Sequence, residues 1–262
     1  MIARPILGLD IGGTKTAVLL GDSTGAVHAR RQFASPLHLG PHGMIGQIVA
    51  EARELLVGRA IAAVGVSIGG PMDSAAGRIL GPPHLPGWED VPLRAMLEAQ
   101  LRVPVFVEHD ARAGALAEWR FGSGRAPDGS QVDNLIFLTL GTGIGAGIIS
   151  GGMLLHGNST RTAEAGHWRV AEHGPLMFGK RGSWESFCSG AGIAALAAER
   201  FPDRFRDANV TELAAIARQG DADAGAIFAV SAEKLGHGIA LLCDLFVPDV
   251  VALGALGVRL PD

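Results

Sequence analysis

The residues of this chain best suited to chemistry sit in two glycine-rich turns and at one acidic strand end. Asp10-Ile11-Gly12-Gly13-Thr14-Lys15 follows a short apolar run. Glycines let backbone N–H groups turn toward a phosphate, and Thr14 adds a hydroxyl donor. Asp10 offers an oxygen ligand for Mg²⁺, directly or through water, because that ion commonly takes one or two carboxylates beside substrate phosphates. The spacing GxxxxGK[ST] of a P-loop is absent. Gly141-Thr142-Gly143-Ile144-Gly145 is a second turn of this kind. Read alone, each is equally a tight turn between strands. Their pairing favours a nucleoside triphosphate, whose phosphate oxygens can engage both.

The acidic strand end is Val107-Glu108-His109-Asp110-Ala111. A carboxylate between a buried strand and a helix can accept the proton of an attacking hydroxyl, which phosphoryl transfer to an alcohol requires. Asp110 is equally suited to cap the helix, and the two roles are compatible. Glu164, His167 and Glu185 lie further on, among small and aromatic residues. Carboxylates and imidazoles suit hydrogen bonds to sugar hydroxyls. Taken singly, surface placement explains each glutamate, and a structural role explains His167.

These clusters need strands and helices to position them. Apolar runs predict strands over 6–9, 16–20 and 27–33, with glycine turns between them. Ile45, Ile48, Val49, Ala52, Leu55 and Leu56 recur at helical spacing, which predicts a helix over about 44–57. Further strands are expected over 62–67, 103–107, 135–140 and 146–149, and helices over 92–101 and 110–121. Residues 122–134 read as a loop. From Gly190 the chain reads as mostly helical, closing with a strand over 250–253. Strand, glycine turn, strand occurs twice, over 7–20 and 137–150, as a weak internal repeat.

Composition narrows the function classes. The chain has 262 residues, 48% of them hydrophobic, and a formal net charge of -4. That is enough apolar material for a core, and no basic face argues for nucleic acid. No apolar run approaches a membrane span. Two cysteines, Cys188 and Cys243, give no disulfide framework, which suits a cytoplasmic protein. The 38 glycines are about twice the average share. They cluster at strand ends, where backbone must turn tightly or approach a ligand.

The order of the motifs resembles the ROK family (repressors, open reading frames and sugar kinases). Asp10–Lys15 resembles its first phosphate motif, DxGGTK, and Leu85-Pro86-Gly87-Trp88 its LPGW segment. Glu108-His109-Asp110-Ala111 resembles ENDA, Gly141–Gly145 GTGIG, Ala163–His167 AGExGH, and Gly182–Glu185 GCxE. The resemblance runs from about Ile6 to Gly254. It implies an α/β, two-domain actin/hexokinase-like (ribonuclease H-like) fold with an interdomain cleft, divided as 1–109 and 110–262. It implies ATP and Mg²⁺, with Gly12, Gly13, Thr14, Lys15, Gly141, Thr142, Gly143 and Gly254 at the nucleotide. It implies Asp10 at the metal and Asp110 as catalytic base. Gly70, His84, His109, Asp110, Glu164, His167 and Glu185 would line a sugar site. A homodimer is implied, with neither nucleic acid nor membrane as partner. The expected activity is ATP-dependent phosphorylation of a hexose or N-acetylhexosamine, glucose first and N-acetylmannosamine second.

Three departures from the family pattern bear on that expectation. Leu176, Phe178 and Ser183 stand where the family often has zinc-binding cysteines, so no structural zinc is expected, and packing of Phe178 and Trp184 is expected to hold the loop. His84 and His109 replace asparagines of the sugar clamp, which alters hydroxyl selection. Ala255 replaces a second glycine after Gly254, and the closing helix of the family is missing or short. These changes leave a non-catalytic sugar-binding or regulatory protein as the alternative. Only nine residues precede Asp10, which disfavours a repressor. A polyphosphate donor is a weaker third reading, drawing on Arg112, Arg120 and Arg125, which an amphipathic helix surface explains as well.

Overall fold

The first glycine turn is closed by strand pairing on both sides. β1 (Ile6–Ile11) runs antiparallel to β2 (Lys15–Gly21) with Ile11 opposite Thr16, which leaves residues 12–14 as the turn. The structure is a computed structural model describing residues 5–157 and 164–259. Those residues form two compact units. The first holds 5–113 with 156 and 157, and the second holds 114–155 and 164–259.

In the first unit, β3 (Val27–Ala34) pairs with β2, and α1 (Gly40–Leu56) follows. α1 begins four residues before the apolar periodicity indicates. Pro41 in its first turn has a helical φ and needs no N–H partner there. β4 (Val64–Ile68) leads into the short hairpin of β5 (Met72–Asp73) and β6 (Arg78–Ile79). Then come α2 (Leu93–Leu101), β7 (Val105–His109) and α3 (Asp110–Phe121), whose last residues belong to the second unit.

The sheet order is β3-β2-β1-β4-β7, with β1, β4 and β7 parallel. Strand alternation sends Leu7, Leu9, Ile11, Val64, Val66, Ile68, Val105 and Val107 into the core shared with α1 and α2. Asp10, Ser67 and Glu108 are therefore in one row on the opposite face. Three parallel strands thus end together at Ile11, Ile68 and His109, one residue past that row, at the end of an α/β sheet where ligands bind.

The second unit repeats the arrangement. β8 (Leu135–Leu140) and β9 (Ile144–Ser150) form an antiparallel hairpin with Leu140 opposite Ile144, extended by β10 (Met153–Leu154). β11 (Leu176–Met177) and β12 (Lys180–Arg181) form a small hairpin. Helices α4 (Trp184–Cys188), α5 (Gly190–Arg200), α6 (Pro202–Phe205), α7 (Val210–Arg218) and α8 (Ala222–Phe246) follow. β13 (Val250–Ala255) then pairs parallel with β8, and α9 (Leu256–Arg259) ends the described chain. The sheet order is β10-β9-β8-β13. The strand, turn, strand hairpin occurs in both units, as the internal repeat predicts, and in each a parallel strand pairs with its first strand.

Two sequence expectations need correction here. Phe178 is not buried in its loop: it is 67% exposed, whereas Trp184 is fully buried. Phe178 and Gly179 are the two-residue tip between β11 and β12, with φ of +48° and +72°. The Phe178 ring centroid lies 6.0 Å from that of His167 at 41°, a tilted contact that leaves most of the side chain in solvent. The second correction is α8, which is long and apolar enough to cross a membrane by length and composition, where no such run was expected. Its apolarity comes partly from alanines and glycines on its exposed side. It buries Ala224, Ile227, Ser231, Gly238 and Leu242, and the three hydrophobic members of this set join the core around Trp184 and Phe187.

Trp184 stacks on Trp168 with ring centroids 6.2 Å apart, and a side chain at Gly238 would run into its ring. Gly238→Ala is therefore expected to destabilise the second unit by about 1–3 kcal/mol through overpacking. Urea unfolding followed by tryptophan fluorescence reads this directly.

Candidate active site

Each unit gathers one group of the residues singled out from the sequence. In the first unit the glycine turn is stapled from outside. Gly12 donates its N–H to the Lys15 carbonyl at 3.2 Å, and the Ser35 N–H donates to the Thr14 carbonyl at 3.0 Å. The Ser35 hydroxyl donates to the Gly12 carbonyl at 2.5 Å and lies 2.9 Å from the Thr16 hydroxyl. Sequence reading missed Ser35. Its only signal is a hydroxyl residue just after β3, and nothing in the spacing distinguishes that from a loop serine. Thr14 and Lys15 are exposed beside the turn.

Two imidazoles rest on glycine backbone at the end of β4. A Cβ on Gly69 would lie 2.6 Å from Cε1 of His84, and one on Gly70 would lie 3.1 Å from Cδ2 of His109. A Cβ on Gly13 would strike the His84 carbonyl, so the phosphate turn and His84 are in direct contact. Gly70, His84, His109 and Asp110 are thereby brought together. Asp110 opens α3, and its Oδ1 accepts the Ala111 N–H at 2.6 Å. Nδ1 of His109 lies 3.2 Å from that oxygen but is buried without a hydrogen bond. The Asp110 side chain remains 46% exposed, open to a substrate.

Charge couples this group. The pKa of Asp10 is raised, first because surrounding protein desolvates its carboxyl and then because the Asp110 carboxylate repels its charge. Arg30, Lys15 and the Ser67 hydroxyl pull the other way. The pKa of His84 is lowered, chiefly by burial, against the attraction of Asp110 and with help from His109. His84 is thus neutral at pH 7 and offers one donor and one acceptor.

In the second unit, the turn after β8 is closed by the Gly141 N–H donating to the Gly143 carbonyl at 2.9 Å. The Gly190 N–H, at the start of α5, donates to the Gly141 carbonyl at 2.8 Å. Glu185 is 4% exposed. Its Oε2 accepts the Ile144 N–H at 3.2 Å, and a Cβ on Gly143 would sit 2.8 Å from that oxygen. Its Oε1 makes no hydrogen bond and lies 3.5 Å from Nε2 of His167, which is half exposed. Lys180 donates to the His167 carbonyl.

Ser183, one of the positions where the family often has cysteine, caps α4. Its hydroxyl accepts the Ser186 N–H at 3.3 Å, which orients the helix that presents Glu185. Thr142 is exposed beside the turn, and Glu164 is exposed just before the single helical turn Ala165–His167. Ala163 of that motif lies outside the described residues. Gly254 pairs with Thr139 in the sheet and is buried, with a Cβ there 2.6 Å from the Phe137 ring. Ala255 after it takes a φ of +56°.

Two phosphate-type turns, a strand-end aspartate and an exposed carboxylate at a helix start match one known family. A model of the ROK family matches residues 6–258. The chain belongs to the ROK family. It is 32% identical to a glucokinase of Streptomyces coelicolor over 263 residues, taking in 95% of this chain and 80% of that relative. It is 32% identical to an N-acetylmannosamine kinase of Escherichia coli over 238 residues, 89% of this chain and 77% of the other. A ROK glucokinase from Streptomyces griseus, solved with glucose and AMPPNP, superposes with a TM-score of 0.79 at 33% identity. That match covers 95% of this chain and 82% of the other. The fold is accordingly the α/β, actin/hexokinase-like fold of ROK sugar kinases.

Two outcomes follow from the geometry of these groups. Gly143→Ala forces the Glu185 carboxylate off the Ile144 N–H, which removes a buried hydrogen bond worth about 1–3 kcal/mol when broken from one side. A lower melting temperature and at least an about tenfold loss of kcat/KM are expected. Asp10 holds its proton more tightly folded than unfolded, so its contribution to stability falls as pH rises from its unfolded pKa through its folded one. Asp10→Asn should therefore raise the melting temperature at pH 7 in the absence of metal and nucleotide. An unchanged or lower value, measured by calorimetry, contradicts this assignment.

Proposed function

We propose that this chain transfers the γ-phosphoryl group of ATP to a hydroxyl of a hexose, with glucose as first candidate and N-acetylmannosamine as second. Its class, an ATP-dependent sugar kinase, rests on its family and on the glucokinase and N-acetylmannosamine kinase relatives. The finer reading is supported above all by Asp110, an exposed carboxylate at a strand-to-helix corner beside His84 and His109.

In this reading the hydroxyl oxygen attacks the γ-phosphorus and its proton passes to the Asp110 carboxylate. The bond to the β–γ bridging oxygen breaks and ADP leaves. Backbone N–H groups of Gly13 and Thr14 and of Thr142 and Gly143 hold the phosphates, since those of Gly12 and Gly141 already close their turns, with the side chains of Thr14, Lys15 and Thr142 beside them. His84, His109 and the Gly70 backbone orient the sugar, as do Glu164, His167 and Glu185.

Mg²⁺ suits the residues present. Among the described residues no three His, Cys, Asp or Glu side chains gather as a metal site. Mg²⁺ that travels with a triphosphate needs only one or two carboxylates. Asp10 and Asp110 repel one another, a strain that a divalent cation relieves. When bound, the ion would neutralise charge on the phosphates, with Asp10 holding it directly or through water.

The reading also includes a cytoplasmic location, where ATP is plentiful, and a homodimer. Exposed Leu241, Leu245 and Val247 at the end of α8 are in keeping with an interface. Light scattering tests the dimer.

A coupled ADP-release assay against hexoses and N-acetylhexosamines tests the activity. Turnover is expected with one sugar, abolished by a chelator of Mg²⁺. Asp110→Asn should lower kcat by about 10²–10⁴-fold. Full turnover in that variant would sink the base assignment. Sugar binding without ADP release across the panel would favour a sensor over a kinase.

A further inference from the structure

Arg112 is 4% exposed, so the polar face of an amphipathic helix does not account for it. It lies in the first turn of α3, where the helix dipole disfavours a positive charge. Burial of a guanidinium adds a desolvation penalty that hydrophobic residues of similar size avoid. Its Nε is buried without a hydrogen bond, so the site is not optimised for stability. A residue placed against these three effects needs another reason to be there.

Its contacts supply one. The terminal nitrogen of Arg112 lies 3.2 Å from Oε2 of Glu108 and also meets the ring of His156. The other oxygen of Glu108, Oε1, accepts the His109 N–H at 2.8 Å. The ion pair therefore bridges the corner between β7 and α3. It grips the chain two residues before Asp110 and two residues after it. The guanidinium does not touch the Asp110 carboxylate in any hydrogen bond, so its influence runs through the backbone of the corner.

We propose that Arg112, paired with Glu108, is a positioning residue that fixes the direction of the Asp110 carboxylate. The inference rests on Asp110 being the base. The pair keeps that carboxylate aimed at the acceptor hydroxyl and leaves affinity for sugar and ATP to other residues. A small misplacement of a reacting group lowers turnover far more than binding.

The test compares Arg112→Met, Glu108→Gln with Arg112→Met, and Arg112→Lys in the full chain, each checked for folding by its thermal melt. The double variant removes both charges, so no buried charge is left unpaired and the fold is retained. In both variants that lack the pair, kcat should fall about tenfold or more while KM for ATP and for the sugar stays within about twofold. Arg112→Lys, which keeps the charge facing Glu108, should recover part of that loss. Wild-type kcat in a folded variant without the pair overturns the proposal, as does a rise in both KM values with kcat unchanged. Asp110→Asn in parallel separates the two ideas. If it keeps full turnover the base assignment fails; if it is inactive while the folded double variant is not impaired, only the role of Arg112 fails.

Discussion

The imidazoles and the buried carboxylate of the two groups rest directly on glycine backbone, and much else follows from that contact. The His84 ring lies against Gly69 and its backbone carbonyl against Gly13, the His109 ring lies against Gly70, and the Glu185 carboxylate lies against Gly143 with its Cβ against Gly166. A single Cβ at any of these glycines would crowd its neighbour. The glycines thus serve two ends at once. They let the chain turn tightly, and at Gly69, Gly70 and Gly143 they let a polar side chain approach the backbone. In the first unit this ties the phosphate turn to His84. In the second it ties the turn to Glu185, whose Oε2 also accepts the Ile144 N–H.

Electrostatics in the first unit runs against stability and toward function. Asp10 and Asp110 come from different strand ends, yet the three parallel strands finish together and bring the two charges into range. Desolvation of Asp10 adds to the repulsion. A fold selected only for stability would place a neutral residue at one of these positions. Unfavourable charge of this kind gathers where a ligand is to be bound. His84, kept neutral by burial, presents a polar ring to the same region without adding a second conflict.

Where this chain departs from the family pattern, other contacts take over. The loop between His167 and Glu185 closes as a small hairpin with an exposed Phe178 at its tip. It is anchored by the stacked pair Trp168 and Trp184, and by the Ser183 cap on α4. Hydrogen bonding by a hydroxyl and burial of aromatic rings thus orient Glu185. The left-handed Ala255 is a residual conflict, since an L side chain avoids that backbone region and glycine does not.

The sequence by itself determined the elements and the order of the motifs. Alternating apolar residues specify β1, β4 and β7, because a strand with one buried face has a period of two. The helical spacing of Ile45, Ile48, Val49 and Ala52 specifies α1, though its first turn depended on Pro41. The glycine turns, Asp10 and Asp110 were legible for the same reason: their chemistry is local. Ser35, the Ser183 cap and the clamp of Arg112 on Glu108 were not. Ser35 and Glu108 have their meaning through backbone groups that the fold delivers to them, and a charged residue in a helix reads as exposed until its surroundings are known. Phe178 shows the converse, an aromatic residue that reads as core and stands mostly in solvent at a hairpin tip, with one tilted contact to the His167 ring. Burial and partner are properties of the packed chain, so only the tertiary structure decided which polar residues are held, which carboxylates repel, and which glycines admit no side chain.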